Sequence, residues 1–468
     1  MSVWLKKLVD QYDRMRLENA HDQKILLLDI DGTILDIRYA VYHLLRQYDR
    51  QHETDFFQNL NPAHIQSPLN SLPVLLKNRR IKRKDQRAVE EWVLEHLYTE
   101  VTIHQYCQLQ EGIFDLIRWF QMQPNTRVAL VTGRPETQRV ATLLMLNTLG
   151  ETYRVSFRTE WLFMRPTAWA SSVAMYKVEA VQQLQGRGFQ IMAMIDSEPE
   201  NLAAIDAADE IKPFLLMHTD TLRFSDPLLL PRHASIGHEF NVHALITMRD
   251  LPRQVQLVWS GIRGRDDLLA YLMSDIEWVE LNIYANPVND HLLLNIPAAR
   301  YAGAQPSTQD LNLDDTLNML KMLDKSVKFK LNIEGRAIMR LLEAIARYQF
   351  PQHKICFDLL LDSVGPKGVQ QITSAYPDAV LQTHIGPHLS IQRNPVELKS
   401  QLKMAESWGV SRFALSYCQQ GFRQTFIELS NNGFDLCIDG INNRKKFIDA
   451  ILLEPSSITG DFHAIMEN

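Results

Sequence analysis

The sequence predicts an α/β protein in two parts: a doubly wound parallel sheet carrying a helical insertion, then a (β/α)8 barrel. Three observations carry that expectation. The chain has 468 residues, more than one ordinary core accommodates. Near its start, the aliphatic run from Ile25 to Leu28 reads as a strand buried on both faces, and it stops abruptly at Asp29-Ile30-Asp31-Gly32-Thr33. From Gln256 onward, strands and helices alternate in eight short units. A second doubly wound sheet is the alternative for that half.

Composition narrows the class. Hydrophobic residues make up 46% and charged residues 22%, as in globular proteins. The net charge of -6 excludes an overall basic excess of the kind nucleic-acid binders carry. Cys107, Cys356, Cys418 and Cys437 are scattered without metal-ligand spacing, so they read as reduced thiols and a cytoplasmic location is expected. The first ten residues soon turn charged and lack the apolar core of a signal peptide. No run approaches the length needed to span a membrane, so no membrane partner is expected.

In chain order, Trp4, Leu5, Leu8, Tyr12 and Met15 form one stripe of an amphipathic helix over 3–20. The strand ending at Asp29 follows. Gly32 allows a sharp turn there, and ligands of open α/β sheets sit at such carboxyl ends. The Asp-Ile-Asp spacing puts both carboxylates on one side of the chain, which is costly unless a cation or a shared proton offsets them. The bland alternative is an acidic strand end acting as a helix cap. Residues 37–110 are polar and helical: Val41, Leu44 and Leu45 make one helical stripe, and Ala88, Val89, Trp92, Val93 and Leu97 another. The basic run at 77–87 (Lys77, Arg79, Arg80, Lys82, Arg83, Lys84 and Arg87) reads first as a solvated face. Its functional reading is contact with a large anion such as a nucleic-acid end, weakened by the lack of interleaved aromatics. Another apolar strand then ends in Thr132-Gly133-Arg134-Pro135, and a third ends in Asp196-Ser197-Glu198-Pro199-Glu200-Asn201.

Asp29-x-Asp31-Gly32-Thr33 resembles the first motif of the haloacid dehalogenase (HAD) superfamily in its phosphatase form. Thr132, Lys177 and the Asp196–Asn201 loop match the second, third and fourth motifs in order. The resemblance covers about 24–201 and implies a Rossmann-like HAD domain with a helical cap at about 37–110. It implies that Asp29 is the nucleophile that becomes an aspartyl phosphate and that Asp31 is the general acid and base. Thr132, Gly133 and Arg134 would hold phosphate oxygens, and Lys177 the Asp29 charge and the transferred group. Mg²⁺ would be held by Asp29, the Asp31 carbonyl and Asp196, with or without Glu200. Ser197 stands where many relatives have a second acid.

A stretch rich in proline, 224–254, is expected as a linker between a domain at 1–223 and one at 255–468. The barrel strands are expected at 256–260, 278–284, 328–333, 354–361, 379–385, 412–417, 434–439 and 457–462, with helices at 313–323 and 336–348 among those between. Glu280-Leu-Asn282, His291 to Pro297, Phe329 to Asn332 and the Pro455–Phe462 tail resemble the phospholipase-C-like phosphodiesterase barrels, more loosely the menorin family. The metal-ligating Glu-x-Asp of active relatives is Glu280-x-Asn282 here. Ser260 and Asn295 stand where histidines would be expected, and Asn332 where an acid would be. Glu280 and Asn282 remain the barrel's candidate site residues; His384 and Asp358, at or near strand ends, read first as satisfied structural groups, with support for a different chemistry as the lesser reading. The implied function is an Mg²⁺-dependent HAD-type phosphohydrolase acting on a small phosphorylated substrate. The alternative is a two-domain binding or scaffold protein with a degenerate barrel.

Overall fold

The computed structural model describes residues 3–18, 21–65, 72–97, 99–166, 171–208, 213–220, 227–242, 246, 255–286, 291–295, 311–385, 395–417 and 421–467. The chain divides into two compact units, Met1–Thr247 and Met248–Asn468. Among the described residues, no helix is long and apolar enough to cross a membrane. Pro297, Cys418 and much of the expected linker, including 247–254, lie outside the described residues.

The first unit begins with α1 (Val3–Glu18) and β1 (Lys24–Leu28). The short strands β2 (Leu35–Asp36) and β3 (Gln108–Leu109) pair antiparallel at the base of the helical insertion. Between them lie α2 (Arg38–His52), α3 (Leu72–Asn78), α4 (Arg83–Leu97) and α5 (Glu100–Tyr106). After α6 (Ile113–Met122) come β4 (Thr126–Pro135), α7 (Arg139–Gly150), β5 (Leu162–Arg165), α8 (Val173–Gly186), β6 (Gln190–Asp196), α9 (Pro199–Asp206), β7 (Leu215–Thr219) and β8 (Ser235–Gly237). The sheet is parallel, in the order β5-β4-β1-β6-β7-β8. The chain builds outward from β1 in one direction, returns, and builds outward in the other. The crevice at the carboxyl ends of β1 and β6 is therefore the topological switch point, where open α/β sheets hold ligands. Every residue of β1 is buried, as an apolar run flanked by two parallel neighbours requires. Val178, Val181 and Leu184 of α8 and Leu202 and Ile205 of α9 pack on the sheet with Ile25, Leu27 and Met194.

The N-terminal stripe is buried as its periodicity indicates: Trp4, Leu5, Leu8, Tyr12 and Met15 are each at most 8% exposed. In the insertion, Val89, Val93 and Leu97 are buried and Trp92 half-buried, but Ala88 is exposed, so that stripe is one residue narrower than expected. Lys77, Arg80, Lys82, Arg83, Lys84 and Arg87 are exposed, whereas Arg79 turns back to the Phe56 carbonyl at 2.9 Å.

Part of the stretch read as a linker is structured. Residues Ser235–Gly237 add the edge strand β8, and Phe240 packs edge-on to Trp4 with ring centroids 5.4 Å apart. Proline clustering marked the turns there, while the period-two signal of a three-residue edge strand is too short to read. A Cβ on Gly237 would sit 2.1 Å from the Trp4 indole. Gly237→Ala is therefore expected to lower the stability of this unit by about 1–3 kcal/mol through overpacking. Thermal unfolding of the full chain checks this, and Trp4→Leu in the same background should recover part of the loss.

In the second unit, β9 (Gln256–Trp259), β10 (Trp278–Ala285), β11 (Leu292–Leu294), β12 (Ser326–Asn332), β13 (Ile355–Leu359), β14 (Val380–His384), β15 (Arg412–Ser416), β16 (Leu436–Ile441) and β17 (Ser457–Gly460) follow in order. Eight of them form a closed parallel barrel, sealed by β9 pairing with both β10 and β17. The short β11 pairs antiparallel to the end of β10. Helices follow the strands, including Leu313–Met322 and Arg336–Tyr348. The doubly wound alternative for this half is excluded by closure, and both parts of the expected fold class are present.

Candidate active site

There are two buried polar centres, one at strand ends in the first unit and one inside the barrel of the second. In the first unit, the Asp29 amide donates to the Ile195 carbonyl at 2.9 Å, which sets Asp29 beside Asp196. Lys177, from the second turn of α8, projects between them: its Nζ lies 2.8 Å from Asp29 Oδ1 and 2.6 Å from Asp196 Oδ2. All three side chains are buried. Ser172 starts α8 by accepting from the Met175 amide, and so fixes the turn that aims Lys177 inward. Asp196 is held by the Glu198 amide at 2.9 Å and the Asn201 side chain at 3.1 Å.

Burial pushes the Asp29 carboxyl up to about 7; Lys177 pulls it down and Asp196 pushes it up. For Lys177, burial acts to lower the ammonium, but the Asp196 and Asp29 charges outweigh it and hold it above its ordinary value. The cluster thus joins a carboxylate that resists charging to a lysine that stays charged.

Asp31 follows a different path. Gly32, with φ of 84°, turns the chain, and Asp31 meets Arg134 from the end of β4. Arg134 Nη2 and Nε donate to its two carboxylate oxygens at 2.6 and 2.8 Å, a bidentate pair. Arg134 is 1% exposed and also donates to Thr142 Oγ1 at 3.3 Å. Thr132 is buried, and its hydroxyl accepts from the Arg134 amide at 3.3 Å. Gly133 is where Val173 approaches: a Cβ there would lie 2.8 Å from Val173 Cγ1. The Ser197 hydroxyl donates to the Asp31 carbonyl at 3.1 Å. Glu200 is exposed on the first turn of α9, where Pro199 starts the helix, so it stands apart from the buried carboxylates. Cys107 is a neutral thiol pushed up to about 12, chiefly by burial and then by the Asp31 charge.

The second centre lies inside the barrel. Lys328 Nζ is 3.0 Å from Glu280 Oε2, 3.4 Å from Asp358 Oδ2, 3.2 Å from Asp439 Oδ2 and 3.0 Å from Thr459 Oγ1. His384 Nε2 lies 3.0 Å from Asp358 Oδ2 and 3.3 Å from Asp439 Oδ2. Glu280 therefore belongs to a cluster, whereas Asn282 does not. The Asn282 amide N–H and Nδ2 both donate to Asn295 Oδ1, at 2.6 and 3.3 Å, and bind β10 to the end of β11. Sequence reasoning missed Lys328, Asp439 and Thr459 and gave Asp358 and His384 first as structural groups, with a functional role as the lesser reading. The signal was the polar face Ser326-x-Lys328-x-Lys330-x-Asn332 in a strand whose alternate residues are apolar.

The fold and the two centres define an α/β protein with an open doubly wound sheet and a closed barrel, each carrying ionisable groups where its strands converge. No family model matches the chain, and no curated protein matches its sequence. Three solved structures illustrate what it is similar to. A haloacid dehalogenase-like hydrolase from Streptococcus pneumoniae is 12% identical over 46% of this chain and 94% of that one, with a TM-score of 0.34. A candidate glycerophosphoryl diester phosphodiesterase from Agrobacterium tumefaciens is 11% identical over 44% and 94%, with a TM-score of 0.36. A phosphoribosyl anthranilate isomerase from Thermococcus kodakaraensis is 11% identical over 44% and 87%, with a TM-score of 0.31. At these identities the likeness is one of fold alone, and function rests on the chemistry of the sites.

Proposed function

We propose that the first unit is a phosphomonoesterase of the HAD type. The observation that carries this reading is the buried Asp29–Lys177–Asp196 cluster at the switch point of the sheet, with Asp31 two residues beyond Asp29. Asp29 attacks phosphorus, the bond to the ester oxygen breaks, and Asp31 gives the departing alcohol its proton. Water then opens the aspartyl phosphate; its proton passes to Asp31, and inorganic phosphate leaves. Lys177 offsets the charge of Asp29 and of the transferred group, while Thr132 and the Gly133 backbone orient phosphoryl oxygens. The carboxylates of Asp29 and Asp196 and the carbonyl of Asp31 are an all-oxygen donor set of the kind Mg²⁺ takes, so these residues fit that ion. When bound, Mg²⁺ supplies positive charge that favours the build-up of negative charge on the phosphoryl oxygens.

Arg134 holds Asp31 in both oxygens before substrate arrives. A phosphate that draws on the same guanidinium frees one oxygen to carry the proton. Lysine cannot make this bidentate contact, so Arg134→Lys is expected to lower kcat/KM by about 10–100-fold, read in steady-state kinetics.

The reading is tested by phosphate release from the full chain, with Mg²⁺ or EDTA, across sugar phosphates, nucleotides and phosphorylated nucleic-acid ends. The last class probes the exposed basic run at 77–87 as a contact for a larger anion. Release that depends on Mg²⁺ and disappears in Asp29→Asn is the expected result. Binding without turnover is the second reading. The hydroxyl of Ser197 favours it, because it engages the Asp31 carbonyl where a second acid would bring charge. Phosphorylated ligands that bind but are never hydrolysed across the panel would move the assignment there.

A further inference from the structure

The barrel centre gathers three buried carboxylates around one buried lysine. Glu280, Asp358 and Asp439 are each at most 7% exposed, and Lys328 is the ammonium among them. Three buried carboxylates thus share one buried ammonium in a place where water cannot screen them well. His384 sits at the more open side, with its side chain 22% exposed. Lys330, next to Asp358 in register, is half-buried, and its charge also acts on Asp358.

A second observation is independent of the charge count. Asp358 is 2% exposed, yet its Oδ1 has no hydrogen-bond donor among the described residues. Its other oxygen lies beside both Lys328 and His384. A buried carboxylate oxygen left without a donor is costly and calls for a partner.

The ligand atoms of Asp358, His384 and Asp439 lie within 4.8 Å of one another. The His384 nitrogen is 3.0 and 3.3 Å from the two carboxylate oxygens, close to the roughly 3.3 Å edge of a tetrahedron built on zinc–ligand bonds. We propose that Asp358, His384 and Asp439 form a binding site for a transition-type divalent cation such as Zn²⁺. One imidazole nitrogen and two carboxylates suit a borderline cation better than Mg²⁺ or Ca²⁺, which prefer oxygen throughout. The cation takes the place of the proton between His384 and Asp358. Lys328 stays as the counter-charge of Glu280 and, at 3.4 and 3.2 Å, of the Asp358 and Asp439 oxygens. Three protein ligands leave a fourth tetrahedral position for water or an oxyanion. This ligand set comes from β13, β14 and β16 and does not include Asn282.

The test is Zn²⁺ titration of the metal-free full chain, with X-ray absorption at the zinc edge. The expected result is one zinc equivalent that depends on the barrel and shows imidazole scattering. His384→Gln should lose that scattering and weaken this equivalent by about 100-fold or more, beyond the 10–100-fold that outer-shell changes cost. Asp439→Asn, nearly isosteric, should weaken it while circular dichroism stays unchanged. Asp29→Asn should leave it intact, which separates this site from that of the first unit. Zinc bound equally by wild type, His384→Gln and Asp439→Asn would overturn the proposal, as would a bound zinc without imidazole scattering.

Discussion

Asp29→Asn is expected to abolish phosphate release while making the first unit more stable at alkaline pH. The loss of activity follows from the proposed role: an amide cannot attack phosphorus, and removing a nucleophile typically costs about 10⁴–10⁶ in turnover. The gain in stability follows from burial. The Asp29 carboxyl is pushed up to about 7 in the folded chain against an ordinary value of 3.8. The folded state therefore binds this proton more tightly than the unfolded state does. Stability then falls as pH rises from about 4 through about 7, and above that the whole penalty is present. Asparagine carries no charge to bury and leaves Lys177 paired with Asp196 at 2.6 Å. In EDTA, the variant's advantage in Tm should be near zero at pH 4 and on the order of 5 °C at pH 8. An advantage that shrank with rising pH would contradict the electrostatics described here. Loss of activity with loss of fold would instead point to a structural role, so the two readouts belong together.

The two centres differ in how far the sequence discloses them. Asp29, Thr132 and Asp196 each close a run of aliphatic residues, so a local pattern finds both strand and strand end. Their meeting then follows from parallel strands whose carboxyl ends share one edge. Lys177 is legible through its place at the start of a helix between two such strands. The pairing of Arg134 with Asp31 is not legible, because it joins residues 103 apart and depends on how the end of β4 bends. Glu200 reads as part of an acidic loop, but Pro199 at the first helical position turns it outward.

In the barrel, strands and helices were legible and the polar centre was not. Lys328, Asp358, His384, Asp439 and Thr459 come from five separate strands. Only the register of the closed sheet brings them into one layer. Residues missing from a familiar motif, such as Asn282 for an acid, suggested erosion. The closed barrel instead assembles a different set of ionisable groups, and Asn282 serves to bind a strand end.

Lys328→Met is expected to produce the largest loss of stability in the chain. The methionine fills the volume but leaves Glu280, Asp358 and Asp439 together without their shared ammonium. Removing one partner of a buried ion pair costs about 3–5 kcal/mol, because the remaining charge stays desolvated. In the wild type, burial acts to lower the Lys328 ammonium, but the three carboxylates outweigh it and hold it well above its ordinary value. Its contribution is therefore complete at neutral pH and fades only as pH rises through the folded value. The variant reverses the sign. Its carboxylates lose their shared counter-ion and repel one another only when charged, so the loss should be small near pH 4 and grow toward pH 8. Chemical denaturation of the full chain at both pH values checks this. The same substitution bears on the proposed cation site, since it adds one net negative charge and removes the ammonium from Asp358 and Asp439 while keeping all three ligand residues. Zn²⁺ should bind the variant more tightly than the wild type, and at 100 times its Kd should return about 2.7 kcal/mol of the lost stability. A variant destabilised to the same degree with and without Zn²⁺ would leave Lys328 as the counter-ion of a closed charge network. The three ligand residues would then be its members and not a metal site.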